Sequence, residues 1–498
     1  MLDLFASSSS AAATWRFAGG PALILSLVHI ALVLGCGLHI LLRRHRQPES
    51  RMAWLVVLAA VPYLGALSYL MLGTTNIGRA RIARLTDSAR HLPQPCVAPG
   101  SDGPNCQPGP IDDYSALFRV GQSISGYAPV GGNRAELAID SDAMIASLVR
   151  DIDAAKETVH LLFYIWLGDH NGTKVAKALV RAAGRGVACR AMVDDIGSRE
   201  FIKGPLWREL AQAGVKLRRA LPVGNPLIRM INGRIDLRNH RKLVVLDNHV
   251  TYCGSQNCAD PAFLPKAKFA PWVDAVMRFE GPIVRQNQHL FAVDWMGNGG
   301  DDISGLLAEP LSTVEPGFTA QVVATGPTYR NAAMPEMFEA LMYAARRDLF
   351  ITTPYYVPTP GVQAGLCAAA HRGVDTTIIL PARNDDFAIG GASRSHYESL
   401  LDAGVRVFEY EKGLLHAKSL TVDGEITFIG SANMDRRSFD LNFENNILLH
   451  DTAVTIAMRA RQDSYLKDSR QVTAADVAGW SVGRRLWNNA LAIVGPVL

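Results

Sequence analysis

The chain has 498 residues, 48% hydrophobic and 19% charged, with a formal net charge of +4. That is too long for one ordinary domain and apolar enough for large cores, and the slightly positive mean hydropathy points to lipid contact. A net charge of +4 is too weak by itself to argue for nucleic-acid binding. The seven cysteines (36, 96, 106, 189, 253, 258 and 367) form no CxxC and lack histidine at zinc spacing, so no metal and no other cofactor is expected.

Residues 21–42 run without a formal charge, and residues 52–73 do the same. Each stretch is long enough to cross a hydrocarbon core of about 30 Å as a helix, and the first exceeds the h-region of a signal peptide. Two transmembrane helices are therefore expected within an N-terminal membrane anchor over residues 1–91. Arg43, Arg44, Arg46 and Arg51 lie between the two stretches, and Arg79, Arg81, Arg84 and Arg90 follow the second. Both sets favour the cytoplasmic side, which Pro62 permits if it breaks the second stretch into a re-entrant hairpin. A catalytic region on the cytoplasmic side is expected.

Residues 92–110 read LPQPCVAPGSDGPNCQPGP, the signature of an extended, solvated linker (92–111). Cys96 and Cys106 within it can pair if it faces an oxidising compartment.

The remainder repeats itself. VHLLFYIW (159–166) with AKALVRAAGRGVACRAMVDD (176–195) resembles LFITTPYY (349–356) with QAGLCAAAHRGVDTTIILPARND (363–385). Each copy is strand, helix, strand, followed by a helix ending in Ala-Gly-Val at 213–215 and 403–405, so two α/β sandwich halves are expected, over 112–315 and 316–498. The first half carries about 14 extra residues after its Ala-Gly-Val, including Asn225, Pro226, Arg229 and Asn232, an arm over the site or a neutral surface loop.

Both halves then carry one motif. His240, Lys242, Asp247, Ser255 and Asn257 in the first match His416, Lys418, Asp423, Ser431 and Asn433 in the second at identical spacing. A single H-x-K occurs often by chance; two full copies at matched repeat positions do not. Strand alternation puts each histidine and lysine on one face and the aspartate on the opposite parity, before a hairpin turn, which makes Asp247 and Asp423 structural despite their place in the motif. Two imidazoles, two ammonium groups, two amides and two hydroxyls around one centre suit a phosphodiester. Lys242, Lys418, Asn257, Asn433, Ser255 and Ser431 can hold its oxygens, while one histidine attacks and the other protonates the leaving group. One imidazole must be neutral and the other protonated, so activity should be bell-shaped in pH.

The duplicated H-x-K-x4-D-x6-G-S-x-N pattern resembles the phospholipase D superfamily, whose catalytic motif counts His240, Lys242, Asp247, His416, Lys418 and Asp423. More narrowly it resembles the bacterial cardiolipin synthases, through the paired apolar segments, NHRKLVVLDNHVTYCGSQN, PWVDAVMRFEGPIV and LLHAKSLTVDGEITFIGSANMDRRSFDLNFENN. The resemblance implies a multi-pass enzyme of the bacterial inner (cytoplasmic) membrane that makes cardiolipin and glycerol from two phosphatidylglycerol molecules. It also implies a phosphatidyl-histidine intermediate, with His240 as nucleophile and His416 as acid by analogy, and a histidine-orienting carboxylate after each motif, Glu444 in NFENN and, at looser spacing, Asp274 in PWVDA. The partners implied are phospholipid substrate and bilayer, with no nucleic acid; the oligomeric state is not legible. A phospholipase D hydrolase or another phosphatidyltransferase differs only in what resolves the intermediate, and a nuclease of the superfamily is the more distant alternative.

Tyr164, Trp166, Tyr355 and Tyr356 line a lipid channel or, more simply, pack in the core. FLPKAKFAPW (263–272) and the C-terminal stretch 480–498 mix cationic and aromatic residues, as segments lying on a bilayer do; for the latter an ordinary packed helix is an equal reading.

Overall fold

The computed structural model describes residues 11–43, 48–73, 78–95, 100–109, 111–223, 234, 236–311, 314–330 and 332–494. They form two compact units, a helical one ending at Asn76 and a larger one running from Ile77 to Gly495.

The helical unit contains α1 (Ala11–Leu42), α2 (Pro48–Ala60) and α3 (Pro62–Leu72). The second apolar stretch is thus divided at Pro62, which lacks the N–H an unbroken helix needs and is tolerated at the first position of a new one. The chain folds back there. The Trp54 and Tyr69 rings lie 5.3 Å apart, and a Cβ on Gly65 would fall 2.7 Å from the Val57 carbonyl oxygen, so only glycine allows this approach. Ile40, Trp54, Leu58, Ala66 and Tyr69 close a small core. At about 1.5 Å per residue, α2 and α3 are roughly 20 and 16 Å long, shorter than a bilayer core. Among the described residues no helix is long and apolar enough to cross a membrane.

The larger unit carries the repeat. Its first half contributes β1 (Val130–Leu137), β2 (Thr158–Phe163), β3 (Ala188–Asp194), β4 (Lys216–Ala220), β5 (Arg238–Asn239), β6 (Leu243–Leu246), β7 (Val250–Gly254), β8 (Trp272–Val273) and β9 (Val276–Glu280). The second contributes β10 (Phe318–Thr325), β11 (Asp348–Thr352), β12 (Asp375–Pro381), β13 (Arg406–Tyr410), β14 (Leu414–Leu415), β15 (Ser419–Val422), β16 (Ile426–Gly430), β17 (Asn442–His450) and β18 (Ser469–Val472). Strand order is β18-β13-β12-β11-β15-β16-β17-β10 in the second half and β1-β9-β7-β6-β2-β3-β4 in the first, joined where β1 runs antiparallel to β10. The expected βαβ units are present as the parallel triplets β2-β3-β4 and β11-β12-β13, while the motif strands pair antiparallel.

Helices cover both faces. Ser141–Ala154 and His170–Gly184 pack outside the first half, and Ser115–Ser125, Ala333–Ala344 and Pro360–His371 outside the second. A central core is shared, with Leu243, Met277, Phe291 and Trp295 meeting Phe350, Ile429, Ile447 and Met458. Trp166 and Tyr356 are wholly buried and belong to cores.

Part of the Pro/Gly stretch is packed rather than solvated. Pro104–Cys106 forms a short 3-10 turn, Asn105 donates to the Val314 carbonyl at 2.7 Å, and Gly109 N–H donates to Thr319 Oγ1. Gly131 and Gly132 make room, since a Cβ on Gly131 would sit 2.1 Å from the Gln107 carbonyl oxygen. The Cys106 thiol is buried and donates to the Gly100 carbonyl at 3.3 Å. Cys96 and the expected arm with Asn225, Pro226, Arg229 and Asn232 lie outside the described residues.

Candidate active site

Each motif enters the core on the strand of a hairpin, β6–β7 and β15–β16. The turns need two left-handed residues, Asp247 with Asn248 and Asp423 with Gly424, all at positive φ. Asp247 turns away from the histidine and accepts from the backbone N–H groups of Lys156, Glu157 and Thr158 at 2.7–2.9 Å. Asp423 does the same for Arg346, Arg347 and Asp348. The catalytic role that the family resemblance implied for Asp247 and Asp423 is therefore corrected. They fasten the hairpin to the start of the neighbouring strand, which the opposite parity had implied.

Two short strand pairs between the halves bring the rest together. β5 runs parallel to the start of β17, with Asn239 opposite Phe443, and β14 runs parallel to β8, with Leu415 opposite Val273. One residue further on in each pair, His240 meets Glu444 and His416 meets Asp274. His240 Nδ1 lies 3.0 Å from both Glu444 oxygens, and His416 Nδ1 lies 2.6 Å from Asp274 Oδ1. Each imidazole is thus oriented by a carboxylate of the other half, and the ring nitrogen left over is Nε2 in both.

The serines serve the carboxylates. Ser255 Oγ donates to Asp274 at 2.6 Å and accepts from Ala275 N–H; Ser431 Oγ donates to Glu444 at 2.5 Å and accepts from Asn445 N–H. With donor and acceptor engaged, Ser255 and Ser431 do not offer themselves to a phosphate, and that expectation is corrected. Lys242 and Lys418 each donate to the carbonyl of their own histidine at 2.7 Å, leaving two N–H donors per ammonium. Asn257 Oδ1 accepts from Ile165 N–H at 3.2 Å, whereas Asn433 Oδ1 is buried with no partner among the described residues.

The cluster is nearly dry, with His240 and His416 only 8% and 3% exposed. Burial pushes both imidazoles down to about 4, Glu444 and Asp274 opposing that shift and the nearby lysines adding to it. Burial likewise lowers Lys242 to about 8, and lowers Lys418, which the Lys242 charge depresses further. Burial alone would raise Asp274, but His416, Lys418 and Ser255 outweigh it and hold the carboxyl at about 2. Glu444 is likewise held down by His240, Lys242 and Ser431 against its burial. Burial thus favours the neutral form of both imidazoles, whereas the carboxylate beside each favours the protonated one.

The surroundings are unequal. The Tyr164 ring lies 4.9 Å from His240 and 5.2 Å from the Lys242 ammonium, while Trp272 lies 4.7 Å from His416. Nothing in the motif spacing points to Arg241, yet it is 1% exposed and donates to Asp294, the Glu444 carbonyl and the Thr325 carbonyl. It lies between β5 and β6, and Ala417 stands in its place in the second copy. Asn239 donates to the same Asp294 at 3.0 Å, so the residues flanking His240 are pinned from behind.

A family model described as "Cardiolipin synthase, PLD-like domain" matches residues 148–288 and 338–464, and one described as "Phospholipase D-nuclease N-terminal" matches residues 24–73. The chain is 36% identical over 474 residues to cardiolipin synthase A of Salmonella arizonae, covering 93% of this chain and 95% of that protein. Identity and coverage are the same for cardiolipin synthase A of Salmonella enteritidis. A phosphatidylserine synthase from Haemophilus influenzae shares the fold, with a TM-score of 0.56 at 13% identity over 77% of this chain and all of that one.

Proposed function

This chain belongs to the cardiolipin synthase family of the phospholipase D superfamily and is a phosphatidyltransferase, and from that premise we propose how its residues join two phosphatidylglycerol molecules into cardiolipin and glycerol. The observation that carries the proposal is the exchange of carboxylates between the halves, which occupies Nδ1 of each imidazole and leaves Nε2 of both for the reaction.

His240 Nε2 attacks the phosphorus of the first phosphatidylglycerol in line with the bond to its glycerol headgroup. That P–O bond breaks as a P–N bond forms, and His416 Nε2 gives its proton to the departing glycerol oxygen. The terminal hydroxyl of a second phosphatidylglycerol then gives its proton to His416 and attacks phosphorus. The P–N bond breaks and cardiolipin leaves. The tighter contact to a carboxylate, 2.6 Å against 3.0 Å, supports the imidazolium at His416 and the neutral nucleophile at His240. Lys242, Lys418 and the amides of Asn257 and Asn433 bind the non-bridging oxygens, an electrostatic contribution of several kcal/mol in a dry pocket. Asp274 and Glu444 orient the histidines and act through them.

The apolar stretches 21–42 and 52–73 anchor the enzyme in the bacterial inner membrane, the second as a hairpin bent at Pro62, with the arginine clusters keeping the catalytic halves on the cytoplasmic side. The test is purified protein given phosphatidylglycerol alone. Cardiolipin with equimolar glycerol is expected, and phosphatidic acid as the main product would mean that water resolves the intermediate and would overturn the transfer reaction.

A further inference from the structure

The C-terminal helix Val482–Val494 lies antiparallel on helix Phe387–Ser395. Trp480 sits 6.1 Å from Tyr397, and a Cβ on Gly391 would fall 2.4 Å from Leu491 Cδ1, so a glycine lets the two helices touch. Asn488 and Leu491 take the packing side. The other side is open and apolar: Val482, Leu486, Trp487 and Ile493 are 74%, 66%, 57% and 72% exposed. At 3.6 residues per turn, Val482, Leu486 and Ile493 fall within about 40° of one another, and Trp487 lies about 100° round the helix from Leu486, between the stripe and the packing side. The helix carries Arg484 and Arg485 and no acidic residue.

The first half presents a similar element. Leu264–Phe269 holds Lys266 and Lys268, no acidic residue occurs from 261 to 273, and Leu264 is 72% exposed. Lys266 pairs with Asp385 at 2.5 Å, two residues before Phe387, itself 73% exposed. Ring contacts run inward from this rim, with Phe263 4.1 Å from Trp272 and Trp272 4.7 Å from His416.

We propose that this rim (Leu264, Phe387 and the outer stripe of the C-terminal helix) seats on the headgroup layer of an anionic phospholipid bilayer and brings the pocket to its substrate. Resting on the lipid-substrate reading above, it adds a docking surface that the chemistry does not require. Three observations favour a bilayer over a protein. The exposed groups are large, apolar and aromatic; Arg484, Arg485 and Lys268 are cationic, while the acids beside Phe387, Asp385 and Asp386, are engaged by Lys266 and by helix N–H groups; and ring contacts lead from the rim to His416, whose substrate resides in that layer.

The test uses the full chain reconstituted in phosphatidylglycerol-containing vesicles with acyl-brominated lipid. Trp487 emission, obtained by difference from Trp487→Phe, is expected to be quenched at least twofold. The double variant Leu486→Asp/Ile493→Asp is expected to lose at least fivefold in turnover of vesicle phosphatidylglycerol, while turnover of a short-chain phosphatidylglycerol dissolved as monomers stays within twofold. Unquenched Trp487, an equal loss on both substrates, or conversion of a dimer to a monomer by the variant would each overturn the proposal, the last by making a second copy the occupant. Quenching of Trp487 in a protein that forms no cardiolipin would uphold the docking surface and defeat the catalytic reading instead.

Discussion

Replacing Glu444 by glutamine removes one charge and almost no volume, and it should disable the histidine of the opposite half. The carboxylate is fully buried and lies 3.0 Å from His240 Nδ1. At an effective dielectric of about 20, a full charge pair at that separation is worth roughly 5 kcal/mol. With about half a charge developing on the imidazole as it attacks phosphorus, the loss is about 2–3 kcal/mol, or roughly 10²-fold in kcat. Ser431 and Asn442 can still hydrogen-bond the glutamine, so the fold should survive. The assay is conversion of radiolabelled phosphatidylglycerol to cardiolipin in mixed micelles, with melting temperature as the folding control. A Glu444→Gln enzyme of normal melting temperature and kcat within threefold of the parent would refute the orienting role.

His240→Ala and His416→Ala should each abolish cardiolipin formation in the same assay without loss of fold, and near-normal turnover in either defeats the two-histidine scheme. Asp247→Ala should instead lower stability by about 2 kcal/mol, since three backbone N–H groups lose their acceptor; thermal melting and specific activity of the folded fraction separate this from a catalytic loss. Because burial holds His416 at about 4, binding a phosphodiester at pH 7 should draw in about one proton, readable by calorimetry in buffers of different ionisation enthalpy; no dependence on buffer would count against it. Acid should destabilise the protein. Burial lowers His160 to about 3 and His240, His289, His396 and His416 to about 4, whereas unfolded histidines titrate near 6.5. Between those values the unfolded chain holds more protons, so the stability present above pH 6.5 drains away as pH falls, by up to about 1.4 kcal/mol per pH unit for each histidine. A melting temperature unchanged from pH 7 to 4.5 would contradict this.

The repeat and its two motifs were legible because identical spacing survives in both copies, and the structural place of Asp247 and Asp423 followed from strand parity alone. The partnering of the histidines was not. Glu444 lies 204 residues from His240 and Asp274 lies 142 from His416, and their meeting depends on the two-residue pairs β5–β17 and β8–β14, too short to leave a periodic signal. The serines misled because their hydroxyls point along the carboxylates rather than toward the pocket. The Pro/Gly segment read as solvated from its own composition, and the space it packs into is opened by Gly131 and Gly132, which lie outside it in sequence. Pro62 announced the break in the second apolar stretch correctly, but not the tight return that Gly65 permits.

The traded carboxylates also set a condition on ancestry. A single-copy forerunner would have carried a histidine and an acidic side chain unable to reach each other within one chain, so chemistry would have required two copies meeting as an isologous dimer, each lending its acid to the other. Within one polypeptide the copies are free to differ, and they do, with Tyr164 beside one imidazole and Trp272 beside the other. By the same logic, severing the chain between its repeats should yield fragments that are inert apart and active when mixed.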